Sequence, residues 1–147
     1  MLNKWRRIES FVRFVKTQYK EELAGIPIFY VTNLWHLPEE ENDLGGKLQP
    51  YEYIFGKTEM LLEDDKEDPE EYEYPCQVFV AGRHGKTTVM WLTAHELAHV
   101  IQYMRKQIVR RDDYEKEIDR FENEADEFAD RMMKAFQQYL KKKKGKR

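Results

Sequence analysis

Between Thr87 and about Gln107 the chain contains neither Gly nor Pro, and inside that stretch stand His95-Glu96-Leu97-Ala98-His99. A run of this length without a breaker is a helix of about six turns. On a helix turning ~100° per residue, His95 and His99 project from one face, one turn apart, with Glu96 beside them. Val89, Thr93, Leu97, Val100, Met104 and Ile108 recur at helical spacing and form the expected core stripe. The two histidines fall roughly opposite it. A lone histidine near a core is ordinarily a hydrogen-bonded structural residue, whereas a pair aimed away from the core at this spacing suits a metal ion, expected to be Zn2+. Glu96 is then placed to take a proton from a metal-bound water. Thr87, following the loop Gly82-Arg83-His84-Gly85, is the expected N-cap.

Two imidazoles leave an open site, so the fold must bring up a third ligand from another element. Downstream, Glu122-Asn123-Glu124-Ala125-Asp126 opens a second long helix whose apolar stripe is Ile118, Phe121, Ala125, Phe128, Ala129, Met132 and Phe136. On its helical wheel Glu122 lies about 60° from the stripe centre and Glu124 about 100° away on the other flank. Asp126 follows one turn after Glu122 on the same side. This favours Glu122 as ligand, with Glu124 the alternative, and Asp126 as the residue that orients a histidine through its ring N–H. Lengths agree: ~16 Å of helix from His99 to Arg110 is matched by ~14 Å from Asp113 back to Glu122. The turn falls at Arg110-Arg111-Asp112-Asp113, and Asp112 with Glu115 resembles a capping box that starts the return helix.

The His-Glu-x-x-His pair followed by Glu-x-x-Ala-Asp resembles the gluzincin metallopeptidases, especially the HtpX/Ste24-like group and its small minigluzincin relatives. It is also similar to the ImmA/IrrE-type peptidases, which carry Glu-x-x-Ala-Asn at the corresponding place. The resemblance covers Thr87 to Phe136, about a third of the chain. It implies zinc held by His95, His99 and Glu122, Glu96 as general base, and Asp126 as partner of a ligand histidine. The chain departs from the membrane-bound members in having no apolar run long enough to span a bilayer. It departs from many ImmA/IrrE relatives in lacking Leu-Met-Pro after the second helix.

The remaining sequence fits a small zincin-like α+β domain, expected over residues 1–140 with a basic tail at 141–147. At 147 residues and 41% hydrophobic, the chain has the length and apolar content of one domain with one core. Leu2 to about Leu23 reads as an amphipathic helix, with Trp5, Ile8, Val12, Val15 and Tyr19 on one side. Three or four strands of a mixed sheet follow. They are Ile26 to Thr32, a hairpin of Tyr51 to Phe55 with Thr58 to Leu62 around Gly56-Lys57, and Cys76 to Ala81. Such a domain should hold a peptide or protein substrate as an added strand along the sheet edge, on the strand Cys76 to Ala81 or on the hairpin. Tyr103, Tyr114, His84 and Arg83 are the candidates for a second electrophile; His36 receives no role.

Charge is distributed unevenly. The net charge is −3, yet Lys141 to Lys144, Lys146 and Arg147 contribute six cations, which leaves the body near −9. The tail is expected to be a solubilising end, and no nucleic-acid partner is expected. Glu63 to Glu73 is an acidic run with Pro69, expected as a solvated loop. One cysteine, Cys76, excludes an intrachain disulfide and suits a reducing cytoplasm, where it is expected to be a core residue. No apolar h-region of a signal peptide is seen, so the expected location is cytoplasmic. Three functions fit: a zinc peptidase, a regulatory ImmA/IrrE-type protease specific for one partner, and a non-catalytic zinc-binding interaction domain. Glu96 argues against the last, because a purely structural site closes with a fourth protein ligand and has no use for a base.

Overall fold

A computed structural model describes residues 2–32, 34–35, 53–63 and 75–145. Among these the chain forms five helices and a small mixed sheet, an α+β arrangement. The elements run α1 (Leu2–Gln18), α2 (Lys20–Leu23), β1 (Ile28–Val31), β2 (Leu34–Trp35), β3 (Tyr53–Ile54), β4 (Gly56–Met60), β5 (Cys76–Ala81), α3 (Lys86–Met104), α4 (Arg111–Lys116) and α5 (Ile118–Gly145). The expected single N-terminal helix breaks at Tyr19, whose backbone (φ −130°, ψ 53°) is not helical.

The main sheet has the order β1-β5-β4, with β1 parallel and β4 antiparallel to β5. This corrects two expectations. Cys76 to Ala81 is the central strand, paired on both sides, so it has no free edge for a substrate. The hairpin around Gly56-Lys57 does not form either: β3 pairs with β2, while Gly56 belongs to the strand that pairs with β5. Ala81 N–H donates to Phe55 C=O (2.9 Å) and Leu61 N–H to Pro75 C=O (2.9 Å). Antiparallel pairing alternates, so the odd-numbered residues of β4 bond to β5. The N–H and C=O groups of Gly56, Thr58 and Met60 therefore face away from β5, along the sheet edge.

Helix α3 lies at the centre, packed on the sheet and α1 on one side and on α5 on the other. Val89, Thr93, Leu97 and Val100 are fully buried, as their spacing predicts, whereas Met104 is 38% exposed. The side opposite this stripe is not surface, because α5 covers it with Ala125, Phe128, Ala129 and Met132. That explains why residues all round α3 are buried, Glu96 and His99 among them. Phe11 and Phe136 meet edge to face (5.3 Å) and tie α1 to α5; each such buried aromatic contributes roughly 2–3 kcal/mol of transfer free energy. Ile118, expected in the stripe of α5, is 45% exposed at its first turn.

Both ends of α3 differ from expectation. It starts one residue before Thr87, with Gly85 as N-cap. It stops at Met104 because Lys106 takes a left-handed backbone (φ 61°). Lys106 N–H then donates to Tyr103 C=O (3.0 Å) and Gln107 N–H to Gln102 C=O (2.9 Å). These two bonds are a Schellman closure with lysine where glycine is usual. At the return turn Asp113, rather than the expected Asp112–Glu115 pair, caps the helix: its Oδ2 accepts from Arg110 N–H (2.8 Å) and Val109 N–H (3.0 Å). Those bonds hold the Asp113 carboxyl below its usual range.

Candidate metal centre

One turn apart on α3, His95 and His99 bring their Nε2 atoms to 3.3 Å from each other. Helix α5 lays Glu122 across them, with Oε2 2.9 Å from His99 Nε2 and 3.0 Å from His95 Nε2. Three donor atoms thus meet at 2.9, 3.0 and 3.3 Å. Tetrahedral zinc with bonds of about 2.0–2.1 Å spaces its ligand atoms roughly 3.3 Å apart, so the residues present fit such an ion. His95, Glu96 and His99 also form a group able to hold a metal. Of the two carboxylates Glu122 is the nearer, since Glu96 Oε2 stands 3.9 Å from His95 Nε2. Among the described residues Glu124 reaches Gln102, at 3.5 Å, and not the histidines.

The electrostatics follow from this convergence. Burial pushes the His95 and His99 pKa values down, but the hydrogen bonds the imidazoles donate to Glu122 and the charges of Glu96 and Glu122 outweigh it and hold both above the ordinary histidine value. Burial likewise pushes Glu122 up, and the two imidazoles reverse this, holding its carboxyl far below the usual range. A divalent cation held here would take the place of imidazole protons beside this carboxylate. Glu96 is different: it is 7% exposed, and desolvation, opposed by the histidines and Thr58, raises its pKa. A carboxyl so shifted is a better proton acceptor near neutrality than an exposed one.

Each imidazole is held from behind. His99 Nδ1 lies 2.9 Å from Gln102 Oε1, and Gln102 Nε2 donates to Phe121 C=O (3.0 Å). Because the amide nitrogen is committed to a carbonyl, Oε1 accepts from the Nδ1–H of His99, which turns Nε2 toward the centre. Asp126 Oδ1 is 2.9 Å from His95 Nδ1. The distance is that of an ion pair, but the alignment falls short of a hydrogen bond and leaves that buried nitrogen without a hydrogen-bond partner. Trp91 stacks on the other face of His95 (5.4 Å, 27°) and donates its Nε1–H to Asp130 Oδ1 (2.8 Å).

The carboxylates are positioned too. Tyr114 O–H donates to Glu122 Oε1 (3.0 Å), leaving Oε2 for the imidazoles. Thr58 Oγ1 on β4 is 2.9 Å from Glu96 Oε1 and 3.0 Å from Glu96 C=O, so Oε2 faces His95. Gly56 lets β4 approach this closely: a Cβ there would lie 3.1 Å from Glu96 Cγ and 3.3 Å from Oε2. Of the four electrophile candidates, Tyr114 is held at the cluster by its bond to Glu122. Tyr103 O–H is committed to Leu61 C=O (2.6 Å), and the ring of His84 packs on Phe55.

Sequence reasoning missed Gln102, Trp91, Thr58 and Gly56. The first two carry a usable signal, standing three residues after His99 and four before His95, on the same helical face. Thr58 and Gly56 reach the centre through sheet pairing, which spacing along the chain does not reveal. His36 and most of the acidic run from Glu63 to Glu73 lie outside the described residues. Cys76 is buried as expected, and burial pushes its thiol up to about 12. Comparison with protein-family models, with curated proteins and with solved structures finds no match to this chain.

Proposed function

We propose that this protein is a zinc-dependent metallopeptidase of the zincin type. The observation that carries the reading is the meeting of His95 Nε2, His99 Nε2 and Glu122 Oε2 within 3.3 Å, with the Glu96 carboxylate beside them. A zinc ion held by these three residues would supply an acidified water and polarise a substrate carbonyl. With such an ion bound, Glu96 would accept a proton on Oε2 and pass it to the leaving amine, while Thr58 keeps Oε1 fixed. The edge of β4, with the outward N–H and C=O groups of Gly56, Thr58 and Met60, supports an extended peptide alongside the base. Tyr114 is the candidate to stabilise the oxyanion, since its O–H already lies at the cluster.

Depth favours a narrow substrate range. Glu96 and His99 are 7% and 5% exposed, so only a segment that enters between β4 and α5 meets the base. This supports a protease dedicated to one partner over a general scavenger. The zinc-binding interaction domain is disfavoured by the buried, positioned Glu96, which such a site would not need. A cytoplasmic location suits the single buried thiol, and no described helix is long and apolar enough to cross a membrane. The test is Glu96→Gln against an unfolded protein substrate: zinc content stays at wild-type level and hydrolysis falls by at least a hundredfold, in the range of a lost general base. Equal hydrolysis by the variant sinks the mechanism.

A further inference from the structure

The charge of this chain is sorted by position along its helices. From Arg111 to Asp130 there are ten acidic and three basic residues; from Arg131 onward there are eight basic residues and no acidic one. Helices α1 and α5 pack antiparallel, Tyr19 on Phe128 (5.3 Å), Phe11 on Phe136 (5.3 Å) and Phe14 on Tyr139 (5.2 Å). One turn past Tyr139, the lysines at 141–144 therefore arrive beside the first turns of α1. There Asn3, Arg6, Arg7 and Ser10, with Lys86 from the start of α3, line a cavity of about 470 Å³. Among the described residues no carboxylate pairs with Arg6, Arg7 or Lys86, and the nearby Glu9 is taken by Arg13 (3.1 Å). Neither α1 nor α3 has an acidic residue in its first turn. Cations gathered without counter-charge repel one another, and a polyanion relieves that repulsion.

We propose that this end of the molecule docks on an anionic phospholipid surface. Two observations favour lipid over nucleic acid. The charges are mostly lysines spread over three helix ends, with no linear track for a phosphodiester backbone. Within and beside them stand two aromatic rings, each 40% exposed and each carrying a lysine: Trp5 with Lys4 Nζ at 5.0 Å, and Tyr139 with Lys143 Nζ at 5.7 Å. An aromatic ring beside a lysine at a basic surface suits the headgroup layer. The acidic residues of α4 and the first half of α5 point the other way, so repulsion fixes the orientation. Asp126 is then about 22 Å of helix above the lysines at 141–144, and the candidate metal centre faces away from the lipid. This docking stands whether or not the chain is a peptidase.

The test sediments the full chain with vesicles of phosphatidylcholine, alone or with about a third phosphatidylserine, at low and high salt. The protein partitions onto the serine-containing vesicles only, and high salt releases it. Replacing Arg6, Arg7 and Lys86 together by Gln weakens partitioning on the order of a hundredfold, about fivefold per cation. A second variant with Gln at 141–144 falls at least as far, and is read if the first melts early. Absence from the anionic vesicles, equal binding to neutral ones, or full retention by both folded variants overturns the proposal. So does complete displacement by a short DNA duplex at equal phosphate concentration, which would make the surface a nucleic-acid one.

Discussion

Gln102 offers the sharpest test of how the candidate centre is built. Its amide is 5% exposed and bridges His99 Nδ1 (2.9 Å) to Phe121 C=O (3.0 Å). In Gln102→Leu a side chain of similar size loses both of these contacts and the longer one to Glu124 (3.5 Å). The carbonyl of Phe121 lies inside α5 and keeps its helical partner, so the loss is dominated by the buried Nδ1–H of His99, about 1–3 kcal/mol. At roughly 3 °C per kcal/mol for a chain of this length, the metal-free melting temperature falls by about 3–9 °C. Zinc affinity falls further, by about 10–100-fold, because His99 loses the bond that fixes its tautomer and orientation. Melting with and without zinc, together with competition against a chromophoric chelator, measures both. Gln107→Leu, on an exposed side chain just past the helix, controls for added apolar surface and stays within about 0.5 kcal/mol of wild type. A Gln102→Leu protein that melts early but binds zinc as wild type would refute the orienting role and leave Gln102 a packing residue.

Gly56→Ala places a methyl 3.1 Å from Glu96 Cγ while Thr58 holds the other side of the carboxylate; zinc content stays constant and hydrolysis drops about tenfold or more, as small misplacements do. If hydrolysis is unchanged, the contact between β4 and the base has no catalytic weight. Without metal, stability depends on pH at both ends. His95 and His99, raised above 6.5, contribute stability that is complete below 6.5 and lost as pH rises through their folded values. Glu122, depressed below 4.5, contributes stability present above 4.5 and lost as pH falls through its folded value. Chemical denaturation should show a maximum for the metal-free protein between these bounds; a flat profile across neutrality would contradict the coupling. Zinc affinity runs the other way on the basic side and climbs with pH, since both imidazoles must lose protons to bind it. Trp91, stacked on His95, should change its emission on zinc addition, and Trp91→Phe should remove that change.

Most of what places the centre was legible in periodicity. The helical wheel separated Glu122 from Glu124 because 3.6 residues per turn fixes angles along a helix, and α5 indeed turns Glu122 to the histidines and Glu124 to Gln102. The same wheel put Asp126 beside His95, where it stands 2.9 Å from Nδ1 without the hydrogen bond expected of it. What spacing does not contain is partner choice between elements. That is why the strand Cys76 to Ala81 was expected as an edge when it is the central strand, and why Gly56 was given to a turn when it lies in a strand. The end of α3 escaped for a local reason, since its left-handed residue is Lys106 and not the glycine that usually marks such a closure. The histidine face was expected on the outside. The apolar stripe marks the side toward one neighbour, and a polar opposite face can be covered as fully when the covering helix brings the matching carboxylates.

The central claim is tested most directly by zinc per chain, measured by elemental analysis after metal repletion and desalting on the wild type, Glu122→Ala and Glu124→Ala. The structure predicts about one zinc in the wild type, retained in Glu124→Ala and lost in Glu122→Ala. No zinc in the replete wild type, or equal retention by both variants, would contradict a centre built from His95, His99 and Glu122.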